Sequence, residues 1–398
     1  MPRVLISTIT PISGGVPTMT RFVVATLRDR GYEPVLAHYE PYSLSPQLSV
    51  PSYRLGRQRV GSERRQALDD CESHAIGAWL PELEFTHYWP TAAWRQVLTT
   101  CAAQVTVGGN ALAAMPYVLT RQPFLAWVAT GWDADRKDRV ARFPWPRQLL
   151  DRLVNGPVLR RQERRILRSG TILALSDYTR RALNDIAGAP VTAAVLPMPV
   201  DTDFFTPRPA ALVPGRIGFS GRLDDPRKNL DLLLAALAQA NQTGAKLTAL
   251  LIGSQSTPAL AARIQALGLS EAVTFTGYLP RAELRDHLQT LDIFALPSHQ
   301  EGLCIAALEA MACGCPVVAT RCGGPEEFVI PGETGVTVGF AAAEMAAALT
   351  RLVADRPDRQ HLAHGARRRV VHSYNPAAAE AVFWQAFHHT FPHLALAT

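Results

Sequence analysis

The chain predicts an α/β protein of two doubly wound, Rossmann-like domains, and three observations predict it. Short apolar runs alternate with helically spaced ones, the pattern of a parallel sheet covered on both faces. The length of 398 residues suits two domains, since one usually takes about 100–200. Several prolines fall within 197–214, as in an interdomain linker. The expected division is 1–198, 199–375 and a closing helical segment 376–398 that packs across both domains.

In the first domain Val4–Ile9 reads as a buried strand, Ser13–Pro17 as a glycine turn, and Met19–Arg30 as a helix ending at Gly31. Pro34–His38 resumes strand character. Residues 44–66 are rich in Ser, Pro and Arg and read as irregular. Phe124–Ala129 and Ile172–Leu175 are further strands, and Ser176-Asp177 stands where it can cap the next helix. The second domain is clearer. Arg216–Ser220, Leu247–Ile252, Val273–Thr276, Ile293–Leu296 and Val317–Ala319 read as strands. Leu230–Ala240, Pro258–Leu267, Arg281–Leu291 and Ile305–Ala312 read as helices. Sheets of this kind bind ligands at the carboxyl ends of their strands, so the loops after strands are the informative ones.

Composition narrows the function classes. Hydrophobic residues at 47% and charged residues at 19% exclude a disordered chain. The net charge of +6 suits any anionic partner. No Lys/Arg runs interleaved with aromatics point to nucleic acid. The six cysteines, Cys71, Cys101, Cys304, Cys313, Cys315 and Cys322, lack metal or redox spacing and read as reduced, cytoplasmic thiols. The opening apolar run is too short for a signal segment, and no stretch is long enough to span a membrane. Residues 133–170 are dense in Arg, with Phe143, Trp145, Leu149, Leu150, Leu153 and Val154 among the charges. They read either as solvated amphipathic helices or as a surface for anionic lipid or a phosphorylated acceptor.

Two loops carry the chemistry. After the strand Ile293–Leu296, Glu301 precedes a helix expected to start near Leu303 or Cys304, and Gly302 lets backbone approach a ligand. Free N–H groups at a helix start can bind sugar hydroxyls or phosphate. Glu309 stands eight positions later, at most roughly 12 Å along a helix axis. A carboxylate accepts two hydrogen bonds at once and so suits a vicinal diol, which fits one acid on a sugar and another on a ribose. Alone, the pattern is equally a surface loop and a capping acid. After the strand Arg216–Ser220, Arg222 and Lys228 lie six apart across a proline loop. Both can turn toward one diphosphate, where fixed cations stabilise the charge of a departing leaving group. Alone, they are equally two solvated cations.

Together and in this order the segments resemble the family-4 retaining glycosyltransferases of the two-domain GT-B fold. "SGRLDDPRKNLDLLLAAL" is similar to the diphosphate-binding segment of that family, "LPSHQEGLCIAALEAMACGCPVVAT" to its paired-glutamate segment, and "GGPEEFVIPGETG" to the loop that follows. "ALSDYTRRAL" and "PVDTDFFTP" resemble the segments at the domain linker, and "ISGGV" gives a loose match in the first half. The resemblance implies two domains facing each other across a cleft. It implies that Arg222 and Lys228 hold the donor pyrophosphate, Glu301 the transferred sugar and Glu309 the ribose. Gly221 would belong to the donor site, and backbone at Gly302, Leu303 and Cys304 would line the sugar pocket. Gly14 and Gly15 would approach the distal phosphate, and Tyr278 or its neighbours the base. The implied reaction moves a hexose-type sugar from a UDP- or GDP-sugar to a hydroxyl acceptor with retention. It needs no metal and no cofactor beyond the nucleotide-sugar co-substrate.

One departure and three weaker features stand out. The family often carries a His after the strand corresponding to Phe124–Ala129, and here Ala129-Thr130-Gly131-Trp132-Asp133 holds none. Asp133 or backbone would have to substitute. His87, in a segment similar to another of the family, reads as structural or as lying near the acceptor. Asp133-Ala-Asp135 matches the short motif with which other glycosyltransferases hold a cation, a weak pattern of three residues. Gly14-Gly15 lacks the full dinucleotide fingerprint, against an NAD enzyme. A catalytically silent scaffold and a nucleotide-sugar epimerase are the rival readings.

Overall fold

The computed structural model describes residues 1–9, 15–140, 143–254 and 256–397; for 135, 137–139 and 395–397 it describes the backbone alone. Its contacts divide into two compact units, Met1–Leu196 with Glu380–Thr398, and Pro197–Ala379.

The first unit is built on an eight-stranded sheet. Its strands are β1 (Arg3–Thr8), β2 (Glu33–Tyr39), β3 (Ser62–Ala67), β4 (Cys71–Ile76), β5 (Ala103–Gly108), β6 (Leu125–Val128), β7 (Thr171–Ala174) and β8 (Thr192–Val195). Their spatial order is β3-β4-β2-β1-β5-β6-β7-β8, parallel except for β3. The inner strands are mostly apolar because helices cover both faces, and Leu5, Val35, Val105, Leu125 and Ile172 are fully buried. Ser176 caps the helix Asp177–Ala187, its hydroxyl accepting from the Thr179 N–H at 3.1 Å.

Strand β3 corrects the reading of 44–66 as irregular throughout. Its sequence, Ser-Glu-Arg-Arg-Gln-Ala, has no apolar alternation, and it lies at the sheet edge, antiparallel to β4. Charge holds it there. Arg65 binds Glu40 at 2.9 Å and Arg64 binds Glu72 at 2.6 Å. The region 133–170 differs from a simple helix pair as well. It forms Trp132–Val140, Trp145–Leu150, a π-turn at Asp151–Asn155, and Gly156–Leu167.

The second unit holds six parallel strands, β9 (Arg216–Gly221), β10 (Thr248–Gly253), β11 (Val273–Gly277), β12 (Ile293–Leu296), β13 (Val317–Thr320) and β14 (Gly335–Val338), in the order β11-β10-β9-β12-β13-β14. The order runs outward one way from β9 and the other way from β12. The switch point of the sheet, where such folds take ligands, therefore lies between those two strands. Helices Leu230–Gln242 and Ala342–Ala354 pack on it, with Leu233, Leu237, Met345 and Leu349 buried against Ile217 and Leu251. The helix Pro376–Thr390 begins in this unit and continues into the first, where Trp384 stacks on Tyr32 with ring centres 5.8 Å apart.

Candidate functional site

Two loops meet at the switch point of the second unit. After β9 the chain runs out through Arg222, turns at Pro226–Lys228, and enters its helix through Asn229 in the left-handed conformation. Asp225 organises the turn. Its carboxylate accepts from the Arg227 N–H at 3.0 Å and pairs with the Arg227 and Arg222 guanidinium groups. Surrounded by these donors, it titrates below its ordinary range although burial pushes the other way. Gly221 and Gly253 close the floor. A Cβ on Gly253 would lie 1.7 Å from the Gly221 carbonyl oxygen, so that position admits no side chain.

After β12 the second loop is tied to the first. The Asn229 amide donates to the Pro297 carbonyl at 3.1 Å, and the His299 N–H donates to the Arg227 carbonyl at 2.7 Å. Between them Lys228 and Glu301 meet, with Nζ 2.7 Å from Oε1. Both are largely sheltered, their side chains 17% and 11% exposed. Burial lowers the affinity of the Lys228 amine for its proton, but Glu301 beside it outweighs that and holds the ammonium above its ordinary value. The Ser298 hydroxyl, fully buried, donates to the same Glu301 oxygen at 2.6 Å. Glu301 is also fixed through its backbone, by hydrogen bonds to Cys322 and Gly324. The Gly323-Gly324 loop lies so close that a Cβ on Gly324 would stand 2.0 Å from the Gly302 carbonyl oxygen.

The helix begins at Ile305, later than its sequence suggests. Cys304 takes a φ of +72°, which interrupts helical geometry and turns the backbone at Gly302-Leu303-Cys304. The Leu303 side chain is buried, so only its backbone can reach a ligand. Burial pushes the Cys304 thiol up to about 12, which keeps it protonated and unreactive. Glu309 is half-buried on this helix and has no hydrogen-bond or ion-pair partner among the described residues. Desolvation pushes its carboxyl up to about 7, against the pull of Arg281. Arg281 was not a sequence candidate. It binds Asp201 at 3.0 Å and lies 4.4 Å from the Phe204 ring centre, tying the "PVDTDFFTP" segment to the site. Arg367 ties the same segment to the end of the Glu309 helix, donating to the carbonyls of Thr202, Phe205 and Ala312.

The structure thus brings Lys228 and Glu301 into contact, keeps Gly221 beside the Lys228 side chain, and leaves Arg222 half-exposed on the same loop as a partner of Asp225. Sequence reasoning passed over Ser298 and Asp225; their signal was a polar residue in the loop after a buried strand. Tyr278 follows β11 and is 69% exposed. Gly15 starts the first helix with open space around it, and Gly14 lies outside the described residues.

In the first unit His87 stacks on Tyr39, with ring centres 4.0 Å apart, and its Nε2 lies 3.1 Å from the Pro81 carbonyl. Burial pushes it down to about 4, so it is neutral at pH 7. Asp133 is exposed and bound to Arg160 at 2.7 Å; the Asp135 side chain lies outside the described residues.

The chain is similar to known proteins in fold and, in part, in sequence. Over its full length the chain has the fold of two-domain glycosyltransferases. It matches a sucrose-phosphate synthase from Thermosynechococcus elongatus with a TM-score of 0.75 and 21% identity, covering 98% of this chain and 100% of that one. It matches an Anabaena protein, HepE, solved with UDP and glucose, with a TM-score of 0.73 and 18% identity over 98% and 100%. Residues 214–355, which hold both loops, match the model of the family Glycosyl transferases group 1. Among curated relatives, a GDP-mannose-dependent alpha-(1-6)-phosphatidylinositol monomannoside mannosyltransferase from Mycolicibacterium smegmatis is 37% identical over 201 residues, 46% of this chain and 52% of that one. A D-inositol 3-phosphate glycosyltransferase from Kineococcus radiotolerans is 34% identical over 189 residues, 42% and 43% of the two chains. The matched regions span about half the length of these relatives.

Proposed function

We propose that the chain is a retaining glycosyltransferase that moves a hexose-type sugar from a UDP- or GDP-sugar to a hydroxyl acceptor in glycan or glycolipid synthesis. The observation that carries this is the Lys228–Glu301 contact at the switch point of the second sheet, with Glu309 kept apart and unpaired among the described residues.

The pair acts as a placeholder. In the free protein Glu301 neutralises Lys228. A diphosphate entering beside Gly221 competes for the ammonium and frees the Glu301 carboxylate for the hydroxyls of the sugar. Lys228, joined by Arg222, then faces the charge that grows on the leaving diphosphate, where fixed cations act most strongly in the transition state. Those two cations support a reaction without a metal. Attack on the face the leaving group vacates, with a diphosphate oxygen taking the acceptor proton, gives retention without a protein base. The ionised Glu309 carboxylate suits the two ribose hydroxyls.

The name of the Mycolicibacterium relative makes a guanine nucleotide the first donor to test, and the Anabaena complex makes uridine the second. Both relatives' names support a lipid-linked or inositol-type acceptor. Six unpaired cysteines support a reducing, cytoplasmic compartment, and the basic 133–170 region supports contact with the inner face of a membrane.

Calorimetry with UDP and GDP, a thermal-protection panel of nucleotide-sugars and a donor-hydrolysis assay test the reading. Binding with donor turnover is expected. Absence of any nucleotide binding overturns it. Binding without turnover identifies the silent scaffold, and conversion of the donor sugar without acceptor, seen by NMR, identifies the epimerase.

A further inference from the structure

The first unit holds a pocket of about 490 Å³ whose lining includes Trp132, Asp133, Asp151, Arg152 and Arg160. Its inner charges are satisfied. Arg136, buried, is held by Asp151 at 2.6 Å and by Glu84, and Asn155 donates to Asp151 at 2.9 Å. Two donors of the lining are not. The Trp132 indole N–H is buried with no hydrogen-bond partner, and the exposed Arg152 guanidinium has none among the described residues. Arg160, at the rim, shares its charge with Asp133.

Beside this pocket runs an apolar stripe. Trp145, Leu149 and Leu153 follow at intervals of four and are 76%, 48% and 65% exposed. Large apolar side chains in a row on one face are not left in water without a reason. The charge beside them is of one sign. Between Trp145 and Arg168 the sequence has seven arginines and two acids. Both acids, Asp151 and Glu163, are buried. Arg147, Arg160, Arg164 and Arg168 bind the Glu82 carbonyl, Asp133 and the Ala187 carbonyl, while Arg152, Arg161 and Arg165 are exposed with no side-chain partner among the described residues. The π-turn at Asp151–Asn155 sets Arg152 on the pocket side and Leu153 on the stripe. Apolar residues flanked by outward arginines match the interface of an anionic bilayer, with apolar groups at the acyl boundary and cations among phosphates.

We propose that this face docks on an anionic membrane, with Trp145, Leu149 and Leu153 entering the acyl boundary and the pocket receiving one lipid's phosphate headgroup on Arg152 and the Trp132 indole N–H. This deepens the membrane contact described above and rests on it.

Co-sedimentation of the full chain with phosphatidylcholine vesicles, with and without phosphatidylglycerol, tests it. The wild type is expected to bind the anionic vesicles and not the neutral ones. The combined Trp145→Ala, Leu149→Ala and Leu153→Ala variant is expected to lose about tenfold or more in partitioning, as removal of interfacial anchors does. Arg152→Ala and Trp132→Phe are expected to lose the preference for anionic vesicles while keeping the melting temperature. Equal binding by all variants, or equal binding to neutral vesicles, overturns the proposal. So does thermal protection by soluble glycerol phosphate without vesicle binding, which would make the pocket a site for a free anion. Nucleotide affinity, measured in the same variants, is expected to be unchanged. Loss of vesicle binding with nucleotide affinity intact separates failure of this surface from failure of the glycosyltransferase reading.

Discussion

The two units reverse their strand order in the same way and furnish the reversal differently. In the second unit the loops after β9 and β12 bring a lysine, two arginines and two carboxylates into two neighbouring sets of pairs, Arg222 and Arg227 on Asp225 and Lys228 on Glu301. In the first unit the reversal lies between β1 and β5, and the loop after β5 offers Gly109 and Asn110, backbone and an amide. The charged candidates of that unit stand apart. His87 is packed against a tyrosine ring and Asp133 is paired with an arginine at the surface. One topology thus yields two kinds of ligand end, a charged one suited to a departing diphosphate and a neutral one suited to close backbone approach. On the proposed function, this difference places the leaving-group chemistry in the second unit.

The sharpest way to break that assignment is at the pair itself. Lys228→Ala and Glu301→Ala should each cut kcat by about 10²-fold or more, the usual cost of lost transition-state electrostatics. Near-normal turnover in both would move the chemistry elsewhere. Next comes Glu309→Gln, expected to weaken nucleotide binding by roughly tenfold, as a lost charge-assisted hydrogen bond does. Its acidity supplies a pH signature. The carboxyl titrates near 7 in the folded chain and in the ordinary carboxylate range when unfolded, so the native state holds the extra proton between those values. Folding stability should therefore fall as pH rises from the carboxylate range to about 7. Nucleotide affinity should rise over the approach to 7, because the ribose is accepted by the ionised form. Both slopes should flatten in Glu309→Gln, read by thermal unfolding and calorimetry across pH.

Ser298→Ala sharpens the comparison from inside the second unit. It removes one buried hydrogen bond to Glu301 while the Lys228 contact remains, so a loss of roughly tenfold in kcat is expected. The smallest effect is expected in the first unit. His87→Asn should cost about 1 kcal/mol in stability through lost packing, measured by denaturant titration. Because His87 titrates near 4, the profile of kcat against pH between 5 and 8 should not change. A new inflection there would give His87 a part in the reaction.

Much of the second unit was legible because its strands are buried on both faces, and continuous apolar runs such as Ile293–Leu296 show without any partner. The first unit was read less fully for a physical reason. Strand β3 is held at the sheet edge by ion pairs to Glu40 and Glu72, and a polar hexapeptide does not advertise such pairs. The π-turn within 151–155 likewise breaks the helical period that the flanking residues suggest. The late start of the Glu309 helix depends on one left-handed residue, Cys304, where sequence favours no such turn.

What the sequence determined by itself is the α/β alternation of the second unit and the residue types in its two loops, because burial periodicity and loop chemistry are local properties. Which of those residues meet was decided by the tertiary structure. Lys228 and Glu301 are 73 positions apart, and only the adjacency of β9 and β12 in the sheet sets them 2.7 Å apart. The same folding separates Arg222 onto Asp225 and leaves Glu309 without a partner among the described residues. Ion pairing and desolvation act through space, so the charges of the site belong to the fold, and the sequence supplies only the groups that bear them.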